Sequence, residues 1–266
     1  LDMYDPTEIK GRLNCPDVPR KDLWGYYAQT TFLDDQFQRL LDAVEEMGIA
    51  EDTIIVFTSD HGDMHGSHGL YKKQWPWNEA IKVPFIIRYS GRVPAGREIE
   101  APISVIDVMP TLLGLAGLSV PETVEGINLS PYLTGARDDP PESVLIMNPC
   151  PFSIGDTRGH DQYPNYKGER LEYRGVVSDR YTYVRTIDRP WLLYDNIDDP
   201  YQIQNLIDDP GHEDIRTHLE SQMQRHMQTI GDQLMPRDHY YERFNIVFDH
   251  RGKVVDLVEN MYDRKG

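Results

Sequence analysis

Cysteine is scarce in this chain of 266 residues: there are two, Cys15 and Cys150, far apart in sequence. That excludes a disulfide-dense scaffold and any C-x-x-C redox or zinc pair. The two could bridge, but two separate thiols are the simpler reading, and neither case fixes a compartment. Positive charge is also short. Lys and Arg total 27 against 44 Asp and Glu, a formal net charge of −17, which argues against nucleic acid or an anionic membrane as a partner. An anionic substrate would therefore need a local cluster of cations or a metal. No apolar run approaches the ~20 residues of a membrane-spanning helix. A Gly-rich phosphate loop and a G-x-S-x-G elbow are missing too. The chain opens LDMYDPTEIKG, with neither an initiator Met nor an apolar signal-like segment. It reads as the middle of something, so the compartment stays unassigned.

What is present is enough for a core, since 39% of residues are hydrophobic. From Asp22 to Met47 apolar residues recur at helical spacing (Leu23, Tyr26, Tyr27, Leu33, Phe37, Leu40, Leu41, Val44), and Gly48 sits where a C-terminal cap belongs. TIIVFTS (53–59) and VPFIIRY (83–89) read as buried strands. Asp107 can cap a helix over 108–117, with Pro110 in its first turn. Helix, strand, loop, strand, helix is the order of an α/β fold, here part of a mixed β-sheet flanked by helices. The cluster TGARDDPPE (134–142) suggests a boundary. Beyond it SVLIMN, YRGVVSD, RYTYVRT and PWLLYDN are short strand-like runs, followed by an amphipathic helix over roughly 212–230. They predict a small C-terminal antiparallel-sheet subdomain with a helix. The expected divisions are 1–137, 138–232 and a tail, 233–266, without clear periodicity.

The chemistry concentrates in TSDHGDMHGSHGLYKK (58–73). A strand ending in Ser-Asp-His-Gly puts Asp60 and His61 at the carboxyl end of a sheet strand, the edge where open α/β sheets bind ligands. A hard divalent ion takes carboxylate oxygen and tolerates one imidazole. Equally, Asp60 could cap a turn and His61 be a solvated loop residue. Lys73, beside Lys72, makes chemical sense near a cation if both contact one anion, such as a sulfuryl or phosphoryl oxygen. Adjacent lysines are also an ordinary surface feature. His65 and His68, without a third ligand, are weak grounds for zinc and read as filler or supporting residues. Glu79 and Lys82 could form an exposed pair, and Cys15 in its Pro-rich lead-in reads as structural.

These residues resemble a known family. TIIVFTSDHGDMHGSHGLYKKQWPWNEAIKVPFIIRYSG, with YYAQTTFLDDQFQRLLDAVEEMG before it and PISVIDVMPTLLGLAGL after it, is similar to the second half of the type I sulfatases of the alkaline-phosphatase-like superfamily. YRGVVSDRYTYVRTIDRPWLLYDNIDDPYQIQNLIDDP resembles their C-terminal subdomain, so the likeness covers about residues 22–232. It makes 1–137 the C-terminal portion of the sulfatase domain. It implies that Asp60 and His61 are ligands of a divalent cation, usually calcium, and that Lys73 binds sulfate, with Lys72 a one-residue alternative.

The departures matter as much. The family's nucleophile is a formylglycine made within C/S-x-P-x-R, which this chain lacks. CPDVPR (15–20) has Pro at its second and fifth positions and Asp17 at its third. The family's N-terminal Asp pair and His-x-Pro segment are absent as well. The resemblance thus implies a sulfuric ester hydrolase fragment that is inactive without the N-terminal half. Its partners would be that half and a carbohydrate or aryl sulfate ester, in a periplasmic or extracellular setting if it follows the family. Arg158 and His160, in the polar stretch 149–170, are candidate substrate contacts. Two rival readings are a phosphodiester or phosphonate monoester hydrolase of the same superfamily and a non-catalytic truncated or split binding partner.

Overall fold

The computed structural model describes residues 3–149, 172–248 and 254–255. The chain divides into two compact units: Leu1–Val144 with Val177–Tyr181 and Asp195–Gln204, and Leu145–Val176 with Thr182–Tyr194 and Asn205–Gly266. Among the described residues no helix is long and apolar enough to cross a membrane.

The first unit begins with α1 (Arg20–Glu46), a helix of about 40 Å at 1.5 Å per residue. Gly48, with φ +68°, turns the chain back as expected of a residue just past a helix end. Strand β1 (Ile55–Thr58) follows, then the short helix α2 (Asn78–Ile81) and strand β2 (Phe85–Arg88). β2 pairs antiparallel with β1, Ile55 opposite Arg88 and Thr58 opposite Phe85. Because α1 leads straight into β1, its N-terminal end lies beside the strand's carboxyl end. The contact of Phe37 with Phe57 (5.2 Å) holds helix to strand, and that of Tyr26 with His65 (4.7 Å) holds the helix to the loop after β1.

Burial in this unit departs from the sequence pattern. Neither strand is buried as expected: Ile86 is 62% exposed, because a two-stranded ribbon cannot cover both of its faces. No residue of α1 is buried. The buried apolar side chains include Met64, Leu70, Trp75, Trp77 and Ala80, all between β1 and β2. Helices α3 (Val105–Leu115) and α4 (Ser130–Leu133) add a smaller cluster through Leu115, Leu129 and Leu133. The cap of α3 is Ser104, and Asp107 is the reciprocal partner three residues on, returning a bond to the Ser104 N–H (2.9 Å). Asp107 also accepts from the Ile127 N–H (2.8 Å) and is buried. Pro110 therefore stands in the second turn rather than the first.

The second unit is built on a four-stranded sheet in the order β3–β4–β5–β6: Ser143–Asn148, Tyr173–Ser178, Tyr181–Thr186 and Pro190–Asp195. The links from β4 to β5 and from β5 to β6 are too short for a parallel crossover, so these strands form a meander. Helix α5 (Glu213–Thr229) turns Leu219, Met223 and Met227 inward at a spacing of four, and Val176, Tyr183, Val184 and Leu193 are fully enclosed. Glu220 of α5 accepts from the Tyr183 hydroxyl and from Arg185 (2.9 Å). In the stretch that lacked periodicity the structure has a short helix, α6 (Arg237–Arg243), and strands β7 (Val247–Phe248) and β8 (Val254–Val255), which pair antiparallel. α6 is fixed by polar contacts instead: Arg174, whose side chain is fully buried, forks onto Asp232 and donates to the Tyr240 hydroxyl (2.9 Å). Removing one partner of such a pair strands a buried charge at a cost of about 3–5 kcal/mol. Asp232→Ala is expected to lower the stability of the second unit by that amount, read as a shift in its urea unfolding midpoint.

Candidate functional site

The chain leaves β1 at Thr58 and passes so close to α2 that side chains become impossible at one point. A Cβ on Gly62 would lie 2.0 Å from the Glu79 carbonyl oxygen, while the Gly62 N–H donates to Ala80 O at 2.9 Å. Glycine is therefore required there by contact. Just before it, the Asp60 side chain is 83% exposed and His61 36%. The slight burial of Asp60 would raise its pKa, but hydrogen bonds from the His61 N–H (2.9 Å) and Ser59 hydroxyl (3.3 Å), with the nearby His61 ring, hold it below the usual carboxylate range.

The His61 ring is oriented by its own backbone. Nδ1 lies 2.7 Å from Gly62 O; a carbonyl only accepts, so Nδ1 carries the proton and the Nε2 lone pair faces outward. Lys73 Nζ donates to Nε2 at 2.9 Å, and Asp60 Oδ2 stands 3.4 Å from the same nitrogen. A carboxylate, an imidazole lone pair and an ammonium thus meet at the strand's carboxyl end, and the ammonium is that of Lys73 rather than Lys72.

The intervening loop is tightly specified. Asp63 Oδ1 accepts from the N–H groups of His65 (2.9 Å) and Lys72 (3.1 Å), and Met64 N donates to Lys72 O (2.9 Å). His65, His68, Lys72 and Gln74 all have positive φ, between 42° and 75°. Each costs an ordinary residue of order 1 kcal/mol or more, a concentration typical of functional loops. His65 packs on Tyr26, and His68 stacks on Trp77 at 5.2 Å. Burial lowers the pKa of His68 against the opposing pull of Glu79, so its ring is neutral at pH 7. Both residues support the loop. Glu79 is not an exposed partner of Lys82. Its side chain is 6% exposed and takes hydrogen bonds from Arg12 (2.8 Å) and Asn14 (2.8 Å). Sequence reasoning missed Asn14, which sits in a lead-in with no periodicity, and misjudged Glu79, whose partners Arg12 and Asn14 lie in that lead-in. Arg158 and His160 lie outside the described residues.

Asp60 and His61 suit a hard divalent cation in donor type; the Asp60 carboxylate is exposed, whereas the His61 Nε2 lone pair accepts from Lys73 and would have to be released to bind one. Calcium, however, takes six to eight oxygen ligands, and among the described residues no group of three or more His, Cys, Asp and Glu could hold a metal ion. The pair fits as part of a cation site.

A family model described as Sulfatase matches residues 2–118, from the lead-in through α3. An ulvan-active sulfatase of Formosa agariphila is 36% identical over 257 residues, covering 93% of this chain and 47% of that protein. An arylsulfatase of Clostridium perfringens is 30% identical over 200 residues, 67% of this chain and 41% of its own length. Among solved structures, a Bacteroides thetaiotaomicron protein described in the metabolism of multiple glycosaminoglycans superposes with a TM-score of 0.69 at 28% identity, over 82% of this chain and 45% of that one. A phosphonate monoester hydrolase from Silicibacter pomeroyi gives 0.65 at 26%, over 96% and 49%. The chain spans about half the length of the curated relatives it matches. Its α/β architecture, with antiparallel sheets flanked by helices, is that of the solved relatives, and the chain belongs to the sulfatase family.

Proposed function

We propose that the chain supplies part of the cation and sulfate site of a sulfuric ester hydrolase, and that the nucleophile comes from an N-terminal half outside these residues. The observation carrying this reading is the Lys73 ammonium at 2.9 Å from the outward lone pair of His61, beside the exposed Asp60 carboxylate. Cleaving a sulfate ester spreads negative charge over the sulfuryl and leaving oxygens. A fixed ammonium stabilises that charge most where it has grown, in the transition state. Asp60 and His61 would hold a divalent cation, calcium by family resemblance, and a bound cation supplies a second positive charge to the same oxygens. In this reading the nucleophile is the family's formylglycine, and the substrate is a carbohydrate or aryl sulfate ester.

The need for a further half is supported by surface. Tyr26, Phe32, Leu33 and Leu40 on α1, and Val105 and Ile106 on α3, are each at least half exposed. Covering such apolar area is worth about 25 cal/mol per Å2, and the longer relatives have the chain to do it. A second reading, phosphonate or phosphate ester hydrolysis, is favoured by the 96% coverage of this chain by the Silicibacter pomeroyi enzyme. Ammonium and cation would serve phosphoryl oxygens equally well. Parallel assays of the longer protein on aryl sulfate and phenylphosphonate esters separate the two.

The 266-residue chain alone is expected to release no nitrophenol from p-nitrophenyl sulfate above an enzyme-free control; measurable turnover would remove the need for another half. In the longer protein, Lys73→Ala should lower kcat/KM by about 10²–10³-fold, as losing an oxyanion donor does. Lys72→Gly should leave the rate within a few-fold and stability within about 1 kcal/mol of the parent, since glycine relieves the φ of 62° there. A rate insensitive to Lys73 would move the anion contact elsewhere.

A further inference from the structure

Asn14 lies 54 residues from His68 and 65 from Glu79 in sequence, yet its side chain touches both. It is buried, and its Nδ2 stands within hydrogen-bond reach of three acceptors: Glu79 Oε1 (2.8 Å), Tyr201 O (2.8 Å) and His68 Nε2 (3.0 Å). Its backbone carbonyl accepts from the His68 N–H at 2.7 Å. The amide orientation is forced, because a flipped oxygen would face a carboxylate and a carbonyl. Its own Oδ1 is buried without a partner, an arrangement that costs stability. Glu79 is gripped a second time by Arg12 Nε (2.8 Å), whose guanidinium lies over the Tyr201 ring at 5.1 Å.

We infer that Asn14 is a positioning residue for the Lys73–His61 pair, acting as a clamp on both ends of the loop that carries it. One jaw is His68, shortly before Lys73. The other is Glu79, next to the backbone that receives the Gly62 N–H at Ala80 O (2.9 Å); Gly62 in turn fixes the His61 ring through Nδ1. The separation of the Lys73 ammonium from His61 Nε2 is therefore set through Asn14. The inference rests on the sulfatase reading only for the role given to Lys73; the geometry stands without it.

The test uses the full 266-residue chain, 15N-labelled, and reads the ring nitrogens of His61 and the amide resonances of His68 and Lys73 by NMR. Asn14→Ala is expected to displace all of these. Glu79→Gln should displace them less, because its amide oxygen still accepts from Asn14. Tyr183→Phe, which deletes the hydroxyl bonded to Glu220 in the other unit, should leave them in place. Unmoved Lys73 and His61 resonances in a folded Asn14→Ala chain overturn the inference. So does an equal displacement in Tyr183→Phe, which would make the signal one of general loosening. Should Asn14→Ala fail to fold, Asn14→Ser decides, since its shorter hydroxyl cannot span His68, Glu79 and the Tyr201 carbonyl, and unmoved Lys73 and His61 resonances there overturn the inference as well. The readout contains no sulfate ester, so a negative result strikes the clamp and leaves the proposed reaction untouched. An inactive longer protein would do the reverse.

Discussion

The carboxyl end of β1 depends on burying Trp75 and Trp77. Their indoles, with Met64 and Leu70, are nearly sealed from solvent, and the loop above them has to turn its polar residues outward. The rest of the local geometry follows from that constraint. Gly62 has no room for a side chain, four non-glycine residues accept left-handed backbone, and Asp63 ties the N–H groups of His65 and Lys72 to one oxygen. A stretch that looks like solvated polar sequence holds the most deeply buried apolar side chains among the described residues of its unit. Rigid support beneath an exposed carboxylate, imidazole and ammonium is what a site for a small, strongly charged group requires.

Much of this was legible in the residues. Helical spacing located α1 within two residues of its N-terminus, SVLIMN coincides with β3, and the helix expected over 212–230 is α5. Those elements are set by local period. Asp60, His61 and Lys73 stand out in the sequence by residue chemistry and family resemblance, and the structure brings the three side chains together. What escaped was decided by partners remote in sequence. Glu79 is buried because Arg12 and Asn14 meet it, and α6 is anchored at Tyr240 by a buried arginine sixty-six residues earlier. Strand burial was overestimated for a related reason. A β-branched run reports what a strand would bury in a complete sheet, and among the described residues β1 and β2 have only each other.

The division of labour at the site is equally physical. His61 contributes one lone pair, fixed by the Nδ1–H that it donates to Gly62 O. Asp60 contributes an anion kept ionised by neighbouring donors, and Lys73 a cation. These groups can bind and polarise, but none is a strong nucleophile at neutral pH.

The bond from Asn14 to the Tyr201 carbonyl joins residues 187 positions apart. Closing so long a span carries a chain-entropy cost that no local contact offsets at the time it is met. During synthesis, the loop over Trp75 and Trp77 emerges well before Tyr201 does. For that interval its far anchor does not exist, and the left-handed backbone at His68 and Lys72 is held by local contacts such as those to Asp63 and Asn14. The anchoring of this charged edge is thus complete only once segments 187 positions apart have met.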